Sequence, residues 1–262
     1  MIELTVGLPI WEMEEIAWLA FESLCRQQNI DFEWELLIVE ENENVKNYVG
    51  GDTIEKEYKK RLEKIGCSRI QYFGFSEKVS LIDKWQLMGS VASPHSQMFL
   101  IQAGDCFSQP YRLKETYDIF KKEDPDWVDS PKGCFWDIPS DALALYSAEG
   151  LKIPTNLNMA IKMCYTRNIA SSVLHAGIDG YLKRHVKRSC DKEGKTFSHV
   201  YNTSDNWCKG FDSNGFNKIS VTRLSRIKNP SGVFMEADRE QFEKNVDSDI
   251  LDRARGLVKR PK

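Results

Sequence analysis

Met98-Phe99-Leu100-Ile101 runs directly into Gln102-Ala103-Gly104-Asp105-Cys106. Four apolar residues in a row read as a buried strand. The small-residue turn behind them delivers one carboxylate, Asp105, to the strand's carboxyl end, which is where open α/β sheets bind ligands. Two earlier runs end in the same way. ELTVGLPI leaves its strand at Pro9 and Trp11, and EWELLIV ends in the acidic, polar cluster Glu40-Glu41-Asn42-Glu43-Asn44. Further on, Asp179 stands between Gly177 and Gly180 at a break that opens a helix. A carboxylate there projects into a cleft and is favoured by the helix dipole, which suits a general base. The same position suits a helix cap, and both roles can hold at once. The chain before Asp105 is expected to bind a donor, and the chain after it an acceptor.

The elements that must position these residues follow from periodicity. Residues 3–10, 33–39 and 69–75 and the run at 98–101 read as strands. Residues 14–28, 48–64 and 81–91 read as helices, the first with Ile16, Leu19, Ala20, Ser23 and Leu24 on one face. Strand, helix, strand implies parallel pairs with right-handed crossovers. The expected fold class is therefore α/β, a mostly parallel central sheet flanked by helices. Past Pro110 the texture changes. A helix is expected at 112–122, and short aromatic pieces at 127–130 and 135–138. A strand follows at 141–146, a helix from 158 to 175 and a short strand at 196–201. Residues 235–258 read as one charged helix with Phe242, Val246, Ile250 and Ala254 as its docking stripe. Residues 1–110 form the donor half, 111–234 the acceptor-binding and catalytic half of the same domain, and 235–262 the terminal helix and tail.

Composition sets the limits. The chain has 262 residues, 41% apolar and 29% charged, with a net charge of -3, so no global basic field draws it to nucleic acid or membrane. No apolar run approaches the roughly 18 residues needed to span a bilayer, and no signal-peptide pattern opens the chain. The seven cysteines are scattered without a C-x-x-C pair, which reads as reduced thiols in a cytoplasmic protein rather than a zinc site.

The order of these pieces resembles the nucleotide-sugar-dependent glycosyltransferases of the GT-A fold, family 2 type. LTVGLPIW stands as the first strand, LLIVEEN as the second, and FLIQAGD in the place of the metal-binding D-x-D strand. AGID followed by YLKR stands about 75 residues further on, where that family carries its acid. The resemblance implies an inverting sugar transfer from a nucleoside-diphosphate sugar, with a divalent Mn2+ or Mg2+ held by oxygen ligands. A donor pyrophosphate brings negative charge that needs such a cation or basic side chains, most of all on the leaving diphosphate. The acceptor hydroxyl needs a base on the opposite face of the anomeric carbon.

Carried over residue by residue, the resemblance makes Asp179 the base and Asp105 the metal ligand. The D-x-D positions align as Gln102, Gly104 and Asp105, so two expected carboxylates are absent. Glu40 takes the place of an acid that contacts the base or ribose, with Asn42 beside it, although a solvated loop acid fits too. Pro9 and Trp11 line the base pocket, or Trp11 is a partly buried anchor. Lys84 neutralises phosphate or is a surface lysine. His199 completes the metal shell or is an ordinary hydrogen-bonded histidine. Trp127, Asp129, Trp136 and Asp137 fall where the acceptor groove begins, and the aromatics serve equally as core. The expected acceptor is a glycan hydroxyl. The basic run around Arg184 and Lys187 keeps a modified DNA base open as acceptor, which would show as a steep salt dependence.

Two other functions compete. A nucleotidyltransferase shares the sheet, but would want a Gly-rich basic loop after the first strand, where LPIWEMEEI has neither glycine nor a basic residue. A non-catalytic nucleotide-sugar or carbohydrate-binding protein is motivated by the reduced D-x-D.

Overall fold

The structure, a computed structural model, describes residues 1–11, 14–41, 49–129, 132–137, 142–147, 160–168, 189–191, 199–202, 233–236 and 239–258. The first half alternates as expected. β1 (Ile2–Trp11), α1 (Glu14–Cys25) and β2 (Glu33–Glu41) are followed by a helical stretch in three pieces. These are α2 (Gly51–Thr53), a π-helical turn (Ile54–Tyr58) and α3 (Lys59–Lys64). Then come β3 (Cys67–Phe75), α4 (Leu81–Val91), β4 (Met98–Ile101), β5 (Phe107–Ser108) and α5 (Arg112–Glu123). Gly66 closes α3 at φ +87°, a left-handed turn that only glycine enters cheaply. Ser80 caps α4 by accepting from the Asp83 N–H at 3.1 Å, and its hydroxyl donates to the Asp83 carboxylate at 2.7 Å.

The remaining strands are β6 (Trp127–Asp129), β7 (Lys132–Asp137), β8 (Ala142–Ser147), β9 (Ala160–Lys162), β10 (Ser189–Asp191), β11 (His199–Asn202) and β12 (Val233–Glu236). The helices are α6 (Met163–Arg167), α7 (Arg239–Asn245) and α8 (Ser248–Val258). One sheet runs β10-β6-β9-β4-β1-β2-β3, and a second runs β12-β8-β7-β11-β5. In the first, β4, β1, β2 and β3 are mutually parallel, whereas β9 lies antiparallel between β4 and β6.

Both faces of the first sheet are covered, which is why β2 is buried almost throughout. Leu36 and Ile38 face the cluster built with α1, α3 and α5. Leu37 and Val39 face the cluster of Trp85 and Met88 on α4 with Phe99, Trp127, Ile161 and Met163. Gly7 is a requirement of this second face. A Cβ there would sit 2.4 Å from the Phe99 ring and 3.0 Å from the Met88 sulfur, so β1 and β4 could not keep their spacing. The second sheet packs its Cys134, Trp136 and Leu143 with Trp18 and Leu19 of α1 under α7 and α8.

Two expected elements differ. The helix expected from residue 158 begins as β9, because Ala160 and Ile161 are hydrogen-bonded on both sides by β4 and β6. The expected single terminal helix is a strand and two helices. Its stripe of Phe242, Val246, Ile250 and Ala254 is buried as expected. The break falls at Val246-Asp247, where the Asp247 carbonyl accepts from Ile250 N at 3.0 Å and Leu251 N at 3.2 Å in the first turn of α8. Arg26, just past the end of α1, fixes that break, donating to Asp247 at 2.7 Å and to Asp249 at 3.0 and 2.5 Å. Among the described residues no helix is long and apolar enough to cross a membrane.

Candidate active site

Parallel register puts the carboxyl ends of four strands along one edge. Trp11 pairs with Glu41, Glu40 with Gly74, and Gly7 with Ile101. β1 therefore outruns β4 by four residues, and the turn 102–105 lies beside that overhang, tied to it by Gln102 N donating to Gly7 O at 2.9 Å. Pro9, Trp11, Glu40, Gln102, Gly104 and Asp105 are thus gathered at the edge where a doubly wound sheet binds ligands.

Trp11 is half-buried, and the Lys78 ammonium lies 5.8 Å from its ring centroid. It is partly buried where β1 ends, beside Glu41. Glu40 is not a solvated acid: it is 0% exposed. Its carboxylate accepts from Val49 N at 2.7 Å, Gly50 N at 3.0 Å and Tyr72 Oη at 2.8 Å. It anchors the chain leading into α2, including the left-handed Gly50.

Lys84 is also placed otherwise than expected. It is 3% exposed, so it is neither a surface lysine nor a hand held out to phosphate. Its ammonium donates to Ile10 O at 2.8 Å and pairs with Glu41 at 3.4 Å, joining the ends of β1 and β2 from beneath. Burial pulls its pKa below the ordinary lysine range, with Glu41 opposing. Glu41 in turn accepts from the Val79 N–H.

The turn after β4 is built around a residue that the sequence reading passed over. Arg112, 0% exposed, donates to Gln102 Oε1 at 2.8 Å, Ser108 Oγ at 2.7 Å and Ile101 O at 2.7 Å. Gln102 accepts from Ser108 as well, and its amide donates to Ala103 O at 3.0 Å and Cys106 O at 2.7 Å. The signal was available: Arg112, Thr116 and Phe120 share the buried face of α5 at spacings of four. Asp105 is 4% exposed and its Oδ1 lies 3.3 Å from the Cys106 thiol.

A divalent cation bound in the D-x-D manner needs several carboxylates here. Asp105 is the single one that the turn supplies, and Gln102 Oε1 is already engaged by two donors. Among the described residues no group of three or more His, Cys, Asp or Glu could hold a metal ion. Among the described side chains, Asp105 with Gln102 does not make the set that such a cation needs.

Trp127 and Trp136 are 0% and 1% exposed, packed into the cores on α4 and under α7, and so offer no face to an acceptor. Trp136 meets Phe242 edge-on at 5.3 Å. Asp129 and Asp137 close β6 and β7. His199 opens β11 opposite Ser108, which brings its backbone to the Gln102–Arg112 cluster. Asn42 and Asp179 lie outside the described residues. A cavity of about 510 Å3, lined by His95, Met98, Lys121, Lys162 and Arg167 among others, opens at the opposite, amino-terminal end of β4 and plays no part in this edge.

By sequence the chain matches no family model and no curated protein. By structure it is similar to solved glycosyltransferases. Residues 1–349 of TarS from S. aureus in complex with UDP align with a TM-score of 0.54 and 12% identity over 80% of this chain and 63% of that one. The same protein in complex with UDP-GlcNAc aligns with a TM-score of 0.54 and 11% identity over 78% of this chain and 59% of that one. The mannosyltransferase PcManGT from Pyrobaculum calidifontis, in complex with GDP-Man and Mn2+, aligns with a TM-score of 0.56 and 10% identity over 80% and 59%. This chain therefore spans under two thirds of the length of each. At these identities the likeness shows the fold, which is the GT-A type that the strand order implied.

Proposed function

We propose that this GT-A domain transfers a sugar from a nucleoside-diphosphate sugar to an acceptor hydroxyl, with inversion at the anomeric carbon. One observation carries the reading: Trp11, the Glu40 anchor and the turn 102–105 converge on one edge of a sheet whose fold is shared with proteins solved bound to UDP, UDP-GlcNAc and GDP-Man. In this reading the edge holds the nucleotide against Trp11 and Pro9, while Glu40 and Lys84 fix the loops around it from below. Asp179, on the strength of its place in the sequence, takes the proton from the attacking hydroxyl. The acceptor is a glycan hydroxyl. Its groove is not floored by the Trp127 and Trp136 indoles, which belong to the core.

The test begins with a thermal-shift screen of nucleotide-sugars, since a ligand that binds the native state alone raises its Tm. At least one is expected to raise it. With that donor and a glycan acceptor series, Asp179→Asn should lower transfer by about 10²–10⁴-fold, the usual worth of a positioned base. Its donor-induced shift should equal that of the wild type. A screen in which no nucleotide-sugar moves Tm would end the proposal, and unchanged transfer by Asp179→Asn would remove that residue from it.

A further inference from the structure

We infer that the turn after β4 is organised by a protein cation, the guanidinium of Arg112, in place of a divalent metal, so that nucleotide-sugar binding by this chain does not depend on Mn2+ or Mg2+. This rests on the donor-binding reading of the edge, and it deepens that reading.

In a metal-dependent turn of this kind, carboxylates project toward a cation and would repel one another without it. Here the corresponding positions are a neutral amide and a glycine, Gln102 and Gly104. The amide is not held in reserve. Its Oε1 accepts from Ser108 Oγ and from Arg112 Nη1 at 2.8 Å, which uses both lone pairs of a carbonyl oxygen. Its Nε2 donates to two carbonyls of the same turn, so the orientation of the amide is fixed by four partners.

Arg112 reaches both ends of the turn. Nη2 donates to Ile101 O at 2.7 Å where β4 stops, and Nη1 donates to Ser108 Oγ at 2.7 Å where β5 ends. A guanidinium makes this clamp with a planar fork that lysine lacks. A divalent ion ligated by Gln102 Oε1 at roughly 2.0–2.6 Å would have to displace a hydrogen bond from that guanidinium and then sit close to its charge. Like-charge repulsion in a buried setting opposes this. Among the described side chains of the turn, what remains for a metal is Asp105, a single carboxylate that is 4% exposed. The turn thus has the order that a cation normally gives it, supplied by a residue that cannot dissociate.

The experiment is a Mn2+ titration of the full chain, read by the electron paramagnetic resonance signal of free Mn2+. Beside it runs the nucleotide-sugar thermal-shift series in Mn2+ and in EDTA. The protein is expected to leave the free Mn2+ signal undiminished, and the donor-induced shift should be the same in both media. Gln102→Glu is expected to remain blind to Mn2+, because the new carboxylate has the shape of the amide and pairs with Arg112 where Oε1 does now. Bound Mn2+ that Asp105→Asn or His199→Ala releases would overturn the inference. So would a donor shift that EDTA abolishes, or a Mn2+ site created by Gln102→Glu alone. If no nucleotide-sugar produces a shift in either medium, the transferase reading falls, and the Mn2+ titration on the protein alone still decides the turn.

Discussion

Glu40→Gln separates two roles for the carboxylate at the end of β2, anchoring the chain at 49–50 or touching the donor. Its Oε1 accepts from Val49 N, and its Oε2 from Gly50 N and the Tyr72 hydroxyl, at 2.7, 3.0 and 2.8 Å. The carboxamide keeps the shape but retains one acceptor oxygen. If that oxygen faces Val49, the new NH2 meets the Gly50 N–H, donor against donor, and only the tyrosine hydroxyl can rotate to accept. The reverse orientation strands the Val49 N–H. Either way one backbone N–H loses its acceptor beside a fully buried side chain, at a cost of about 1–3 kcal/mol. At about 2–4 °C per kcal/mol for a chain of this size, Tm should fall by roughly 2–12 °C. Urea denaturation should show the same loss through its midpoint with an unchanged m-value. Tyr72→Phe should cost less in the Glu40→Gln background than in the wild type, with a coupling of about 0.5 kcal/mol or more. A Glu40→Gln protein with a wild-type midpoint but collapsed nucleotide-sugar affinity would refute the anchor and restore donor contact as the role of the residue.

Two further predictions concern buried charge. Lys84→Met strips Glu41 of its cation in a pocket where both side chains are nearly inaccessible, and should cost about 3–5 kcal/mol in denaturation; Lys84→Met with Glu41→Gln should recover part of that loss, and a double variant no better than the single would contradict the pairing. Glu22 is held below the usual glutamate range by the Arg61 guanidinium, with bonds of 2.7 and 2.6 Å, against the opposing effect of burial. A depressed carboxylate contributes stability that is present above its unfolded pKa of about 4.3 and is lost as pH falls through the lower folded value. Glu22→Gln should therefore lower stability at neutral pH and flatten the acid limb of a Tm-against-pH curve; parallel limbs would mean that the pair contributes nothing.

The strands and helices of the first half could be read from apolar runs and spacing because local pattern and burial agree there. α4 runs over the span expected, Leu81–Val91, since its cap at Ser80 and its apolar face are both local features. β9 could not be read locally. Three residues become a strand because β4 and β6 flank them, and nothing within 160–162 encodes those partners. The burial of Glu40 and Lys84 was hidden for a related reason. A charge at a strand end looks solvated until the residues that satisfy it are known, here Val49, Gly50 and Tyr72 for one and Ile10 and Glu41 for the other. Arg112 was the avoidable omission, since helical spacing alone sets it on the buried face with Thr116 and Phe120. The indoles of Trp127 and Trp136 went to the core because hydrophobic area decided their place.

The clasp between Arg26 and the start of α8 has a consequence for how the molecule is made. Its two ends are separated by 221 residues, and the helix it secures covers Trp18 and Leu19 of α1. On a ribosome, α1 emerges well ahead of its cover, with 221 residues between the two ends of the clasp. The first βαβ unit therefore waits with an unsealed apolar flank while those residues are made. Contacts this distant in sequence repay their loop-closure cost last. A nascent chain stalled before α8 would present that tryptophan edge to chaperones, and closure of the clasp would take it away from them.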